Sequence, residues 1–246
     1  MAEVTQDLLL GGRVHLAQPA KGHRAGTDAV LLAASAPVGP GDIVMDVGAA
    51  TGAVGLMAAA REKGGRFVFV ERDPGLAELC RRNLLDNGVQ GEVCVADLLD
   101  KGSRLAAGLA PESADVVLTN PPFLEEGQAR ISPDRGRAAA HVLPAGGLEA
   151  WLKACTGLLK PKGRLVLIHR ADRLAECLDI LADRLGGIDL RFVHPSEDQL
   201  AIRFLLSGIK GSRAPLSILP PVVLNGPDGR FTPQAEALHR GEASLL

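Results

Sequence analysis

The sequence predicts a doubly wound α/β fold, with a mainly parallel sheet of seven strands and helices on both faces. Short runs of β-branched and apolar residues alternate with helix-length segments through most of the chain, the pattern of repeated βα units. Four successive strand-like runs close on an acid or an amide, at Asp46, Glu71, Asp97 and Asn120. In open α/β sheets the carboxyl edge of the strands is where ligands bind.

Residues 1–40 form an N-terminal cap segment, with a short hairpin around Gly11-Gly12 and a helix from Thr27. In the core, residues 41–207, the first buried strand is 42–47 and a helix runs from Gly52 to Ala60. Residues 66–71 form the second strand. The next helix opens at Asp73-Pro74, with Asp as cap and Pro in the first turn, and ends near Asn87-Gly88. Residues 92–96 and 114–119 are the third and fourth strands, and 124–146 lacks clear periodicity. Loops of that length in compact domains are usually functional or mobile. A helix over 148–159 stops at Lys160-Pro161-Lys162-Gly163, followed by a strand at 164–168, a helix at 172–185, and strands at 188–193 and 200–206. Residues 208–246 are rich in Gly and Pro and predict an extended C-terminal appendage available for RNA contact. No linker divides the chain, so a single domain is expected.

At 46% hydrophobic and 23% charged residues, with a mean hydropathy of +0.13, the chain can bury a sizeable core and is not disordered. No apolar run approaches the roughly 20 residues of a membrane span, and the start lacks a signal-peptide pattern. A cytoplasmic protein is expected. A formal net charge of -2 and pI ≈ 6.3 exclude a globally basic nucleic-acid coat, so any RNA contact must be local. Cys80, Cys94, Cys155 and Cys177 are widely spaced with no His-rich stretch, which fits neither a zinc site nor a disulfide framework. They read as core residues in a reducing compartment.

The chemistry concentrates in Asn120-Pro121-Pro122-Phe123, at the end of the fourth strand. Two prolines remove backbone donors and leave neighbouring carbonyls free to accept. An Asn oxygen beside such a carbonyl aims two acceptors at one point, where a planar –NH2 group fits. Phe123 offers a face on which the ring bearing that amine can stack. The bland alternative is a Pro-Pro turn ending a strand.

The turn Asp46-Val47-Gly48-Ala49-Ala50-Thr51-Gly52 suits both dinucleotides and S-adenosylmethionine. A pyrophosphate on the following helix would face Asp46 at short range. S-adenosylmethionine instead presents an ammonium and a sulfonium, so Asp46 suits the methyl donor; the competing reading is a capping carboxylate. Glu71 is placed to accept from both ribose hydroxyls, and Asp97 to meet an adenine's exocyclic amine. Singly, either acid could be a solvated strand end.

On these residues the chain resembles the class I S-adenosylmethionine-dependent methyltransferases with an Asn-Pro-Pro-Tyr/Phe motif. Within them it is similar to the bacterial tRNA adenine-N6 methyltransferases that modify the adenine beside the anticodon of a valine tRNA. The resemblance takes in residues 7–13, Gln18-Pro19, residues 24–28, the glycine turn, residues 119–123 and residues 210–215. It implies S-adenosylmethionine as cofactor, tRNA as partner and N6 of a loop adenine as methyl acceptor, with no metal. Cofactor-binding residues are then Thr27, Asp28, Asp46, Gly48, Ala50, Gly52, Glu71, Asp97 and Asn120, with Thr27 and Asp28 closing the pocket from the N-terminal side. Those two could instead be an N-cap and a first-turn acid.

Two departures stand out. Ala50 replaces a common glycine, which weakens cofactor binding or shifts its pose unless φ there is negative. Phe123 stands where many relatives have Tyr, and it also occurs in guanine-N2 methyltransferases. Alternatives are therefore an N-methyltransferase acting on rRNA guanine N2 or protein glutamine N5, and a non-catalytic cofactor- or RNA-binding protein. Candidate RNA contacts are Arg13, Lys21, Arg24, Arg130, Arg135, Arg137, Arg203, Lys210 and Arg213. Lys210 and Arg213 lead because no acid lies near them in sequence, and His141 reads as a surface or helix-end histidine ahead of a substrate contact.

Overall fold

The computed structural model describes residues 3–22, 24–62, 64–122, 124–125, 142–143 and 147–246; Phe123, Arg130, Arg135, Arg137 and His141 lie outside them. Strands β1 (Val4–Leu9) and β2 (Val14–Pro19) pair antiparallel around a 3-10 turn at Leu10–Gly12, giving the expected hairpin. Helix α1 (Thr27–Ala34) follows, capped by Gly26 rather than Thr27.

The βα alternation then unfolds as β3 (Ile43–Val47), α2 (Ala53–Arg61), β4 (Arg66–Glu71), α3 (Pro74–Asp86) and β5 (Gly91–Val95). Asp73 caps α3, its carboxylate accepting from Gly75 N at 2.7 Å and Leu76 N at 2.9 Å, and Asn87 is the C-cap. Next come α4 (Lys101–Ala106), β6 (Ala114–Thr119) and two short parallel strands, β7 (Leu124–Glu125) and β8 (Val142–Leu143). The chain continues with α5 (Gly147–Leu158), β9 (Leu159–Arg170), α6 (Leu174–Leu181), β10 (Leu185–His194), β11 (Arg203–Lys210), β12 (Ser217–Val223) and α7 (Pro233–Arg240).

The large sheet runs β12-β10-β11-β9-β6-β3-β4-β5, parallel except where β11 lies antiparallel between β9 and β10. Alternating side chains feed two cores. Val44 and Val116 pack with Leu31, Leu32, Leu56 and Met57 on one face, while Met45 and Val117 pack with Leu148, Leu152 and Phe204 on the other. Register sets the site: Val47 lies beside Val70 on one side and Thr119 on the other. Glu71 and Asn120, one residue further on, therefore flank the turn that leaves β3.

Three expectations need correction. The sheet has an eighth strand, because the supposed extended appendage supplies β12 and then α7. Its periodicity is faint because β12 is an edge strand, exposed along most of its length, and α7 buries only Ala235 and Leu238. The helix expected over 172–185 is a 3-10 turn, Ala171–Arg173, followed by the shorter α6, and β10 already begins at Leu185. Lys160-Pro161-Lys162-Gly163 is a bulge within β9: pairing jumps from Ala114 opposite Leu159 to Val116 opposite Arg164.

All four cysteines are buried and free. Burial pushes the thiol of Cys94 up to about 11 and those of Cys155 and Cys177 up to about 12, which keeps them protonated and inert. Among the described residues, no helix is long and apolar enough to cross a membrane and no His, Cys, Asp and Glu side chains group as metal ligands.

Candidate active site

The turn after β3 bends through left-handed backbone at Gly48 (φ 77°), Ala50 (φ 48°) and Gly52 (φ 86°). Glycine enters that region freely, whereas an alanine there costs roughly 1–2 kcal/mol. The negative φ that would have made Ala50 harmless is therefore not adopted; the turn keeps its shape against local strain. Gly52 is obligatory for a second reason: a Cβ there would stand 2.7 Å from Cys80 Sγ.

Two carboxylates hold the turn through backbone amides. Asp46 is 2% exposed and accepts from Gly55 N at 2.8 Å, in the first turn of α2. Burial, opposed by that hydrogen bond and reinforced by the nearby Glu71 charge, raises its pKa to about 7. Glu71, also buried, accepts from Ala50 N and from Asp73 N, both at 2.8 Å. Glu71 thus bridges the turn after β3 to the entry of α3. Two acids close enough for one to raise the pKa of the other make a site that favours a cation.

Beyond Glu71 a cavity of about 440 Å³ is lined by Arg72, Asp73, Pro74, Val95, Ala96, Asp97 and Ser103. Asp97 is exposed there, with Oδ1 accepting from Leu99 N at 2.9 Å. The sheet edge therefore brings Asp46, Gly48, Ala50, Gly52, Glu71 and Asp97 together.

Asn120 follows β6 on the other side of the turn. Its side-chain Oδ1 is buried and has no hydrogen-bond partner among the described residues. Unsatisfied buried acceptors are rare and costly, about 1–3 kcal/mol each. Pro121 beside it is buried, and neither it nor Pro122 has an N–H that could fill the acceptor.

Thr27 and Asp28 open α1, with Asp28 Oδ2 held by Arg203 Nε at 2.9 Å. That ion pair removes Arg203 from the simple list of surface charges. Several other RNA candidates also have internal duties. Arg13 donates to Gly241 O at 2.6 Å, closing the C-terminal end of α7. Arg24 binds Asp7 Oδ2 and Thr5 Oγ1, both at 2.7 Å. Lys210 donates to Leu159 O at 2.7 Å and Glu112 Oε1 at 3.1 Å, so folding supplies an acid that the local sequence lacks. Lys21 and Arg213 are exposed.

Two residues at the site escaped the sequence reading. Asn83 is fully buried: its amide accepts from Ala17 N at 2.8 Å and donates to Ala17 O and Thr51 O, both at 2.9 Å. One turn on, Asn87 repeats the clasp on His15 N and O. The pair docks the hairpin onto α3 and ties it to the glycine turn after β3. A signal existed, because Asn83 sits at helical spacing from Ala77 and Cys80 on the apolar stripe of α3. Trp151 is the other: its Nε1 donates to Thr119 Oγ1 at 2.9 Å.

The mainly parallel sheet thus carries an acid-anchored glycine turn beside an Asn-Pro-Pro strand end. Residues 25–189 match the methyltransferase small domain family, and the chain belongs to that family. Among curated relatives it is 35% identical over 159 residues to a tRNA1(Val) (adenine(37)-N6)-methyltransferase of Porphyromonas gingivalis, covering 62% of this chain and 61% of that protein. It is 33% identical over 163 residues to the enzyme of the same name from Aeromonas hydrophila, covering 65% of each. The chain thus spans less than two thirds of the length of these relatives. Among solved structures, a predicted O-methyltransferase of Agrobacterium tumefaciens superposes with a TM-score of 0.70 at 29% identity, covering 89% of this chain and 98% of that one. A Thermus thermophilus 16S rRNA N2 G1207 methyltransferase, in complex with AdoMet and guanosine, shares the fold at 20% identity and a TM-score of 0.58, covering 85% of this chain and 50% of that one.

Proposed function

We propose that the chain is an S-adenosylmethionine-dependent N-methyltransferase whose acceptor is the N6 amine of an adenine in tRNA, in the anticodon loop. The observation that carries this reading is the buried Asn120 Oδ1 at the end of β6, which has no hydrogen-bond partner among the described residues. A planar exocyclic amine has two N–H donors to offer such an acceptor and the neighbouring Pro121 carbonyl. The names of the curated relatives point to the same acceptor.

The residues present fit the cofactor. Asp46 and Glu71 favour positive charge, and the 440 Å³ cavity past Glu71 has room for a purine beside Asp97. S-adenosylmethionine, when bound, supplies a methyl group already activated by its sulfonium. In this reading Asp46 meets its ammonium, Glu71 its ribose hydroxyls and Asp97 its adenine amine, while Gly48, Ala50 and Gly52 admit it along the backbone and Thr27 and Asp28 close over it. Asn120 Oδ1 and the Pro121 carbonyl accept hydrogen bonds from the two N–H groups of the target amine, and one of those protons would pass to solvent once the new N–C bond has replaced the donor's S–C bond. The two hydrogen bonds draw the nitrogen out of conjugation and leave its lone pair free on the opposite side, so alignment supplies most of the acceleration. Phe123 is assigned the stacking face by its place in the motif, and Pro122 holds the turn.

The solved relative titled a predicted O-methyltransferase raises a hydroxyl acceptor. A hydroxyl needs a base to remove its proton. An amide oxygen such as that of Asn120 is not one. The geometry therefore favours an amine.

The target base must leave its stack, which costs least in a single-stranded loop, and a tRNA substrate puts the enzyme in the cytoplasm. Residues 1–40 and 208–246 flank the 41–207 core in this reading, with exposed Lys21 and Arg213 available to phosphates. Incubation with labelled methyl donor and total tRNA, followed by nucleoside analysis, is expected to yield N6-methyladenosine. Label in N2-methylguanosine or in protein glutamine would overturn the assignment.

A further inference from the structure

The one tryptophan of the chain joins the two halves of the site. Trp151 is 8% exposed on α5, below the carboxyl edge of the sheet. Its six-membered ring lies against the cofactor turn: a Cβ at Gly48 would stand 3.1 Å from Cζ2 and 3.3 Å from Cη2. Its indole Nε1 donates to Thr119 Oγ1 at 2.9 Å, and the same hydroxyl donates to Val47 O at 3.0 Å. Thr119 is completely buried and immediately precedes Asn120, and Val47 immediately precedes Gly48. One ring and one hydroxyl therefore fix both the last residue of β3 before the cofactor turn and the last residue of β6 before the amine-binding Asn.

We infer that Trp151, acting through Thr119, is a positioning residue that sets the distance between the cofactor turn and Asn120. The inference rests on the reading of Asn120 and the turn given above. Parallel pairing of β3 with β6 alone, through Val47 opposite Thr119, sets the register of the strands but leaves free the backbone that leaves each of them. The Trp151–Thr119–Val47 chain pins those two exits together. A misplacement of about 1 Å between reacting groups can cost a hundredfold in rate. Loss of the chain should therefore lower kcat far more than cofactor affinity.

Two measurements test this. Trp151 is the only indole, so protein emission reports its surroundings alone. Saturation with S-adenosylmethionine, verified by calorimetry, is expected to change emission intensity or wavelength, because the ring supports Gly48. Unchanged emission at verified saturation overturns the placement of Trp151 on an occupied cofactor turn. This arm needs no methyl acceptor, so it stands apart from the tRNA assignment. If wild-type protein alters its emission with the cofactor but methylates no tRNA, the substrate reading fails and the role of Trp151 at the turn survives.

The second measurement uses Thr119→Val, which removes the hydroxyl at constant shape, with Thr119→Ser as the conservative rescue. For Thr119→Val the expectation is a kcat about tenfold to a hundredfold lower, with cofactor Kd within about threefold of wild type. Thr119→Ser should restore most of the rate, and Trp151→Phe, which keeps a ring and loses the donor, should resemble Thr119→Val. Wild-type kcat in folded Thr119→Val, or equal losses of kcat and cofactor affinity, overturns the inference. So does unfolding of Thr119→Ser together with Thr119→Val, which would make the hydroxyl a structural requirement only.

Discussion

Protonation of Asp46 should switch cofactor affinity near neutral pH. The carboxyl is 2% exposed, and burial raises its pKa from the ordinary carboxylate range to about 7. In the proposed complex it must be ionised to meet a cationic ammonium, so binding and deprotonation are linked. The sign follows from the raised pKa: above about pH 7 the carboxylate is already charged, and each unit below reduces the ionised fraction about tenfold, or about 1.4 kcal/mol. From about pH 7.5 to about pH 5.5 the association constant for S-adenosylmethionine should fall by more than tenfold. Calorimetric titration across that range measures it. Asp46→Asn should bind more weakly at the upper end and show a much flatter profile. A wild-type affinity independent of pH, or an equal slope in Asp46→Asn, would refute the argument. The same shift affects stability without cofactor. Because the folded state holds this proton more tightly than the unfolded state does, the contribution of Asp46 declines as pH rises from about 4 toward 7.

Ala50→Gly relieves left-handed strain of roughly 1–2 kcal/mol and returns about 0.5–1 kcal/mol to the unfolded chain. The net gain of about 0.5–1 kcal/mol should raise Tm by about 1–4 °C, and a lower Tm contradicts the reading of φ 48° at that position. Asn83→Leu strands Ala17 N–H, Ala17 C=O and Thr51 C=O. At about 1–3 kcal/mol for each buried group, denaturant unfolding should register a loss of about 3 kcal/mol or more. Less than about 1 kcal/mol would mean the clasp is replaced by other partners.

Much of the sheet was legible because parallel strands buried on both faces read as continuous apolar runs. The second and fourth strands, residues 66–71 and 114–119, coincide with β4 and β6, and Asp73-Pro74 opens α3. The acids and the amide at the strand ends were readable for the same reason, since each marks where an apolar run stops. The edge strand β12 was not, because a strand exposed on most positions has no alternation to detect. Nor were Asn83 and Trp151 read as site residues, because their roles depend on partners 32 to 66 positions away in sequence. Charge was the least legible: Lys210 has no acid nearby in the chain, yet folding brings Glu112 to it across 98 positions. Isolated basic residues in a sequence do not tell a surface charge from a structural tie.

Replacement of Asn120 by alanine tests the central claim most directly, because it removes the acceptor without touching the carboxylates of the turn. Methyl transfer to tRNA by Asn120→Ala, followed under single-turnover conditions, is expected to fall by at least about a thousandfold, while calorimetry shows cofactor affinity nearly intact. Transfer at the wild-type rate would contradict the account.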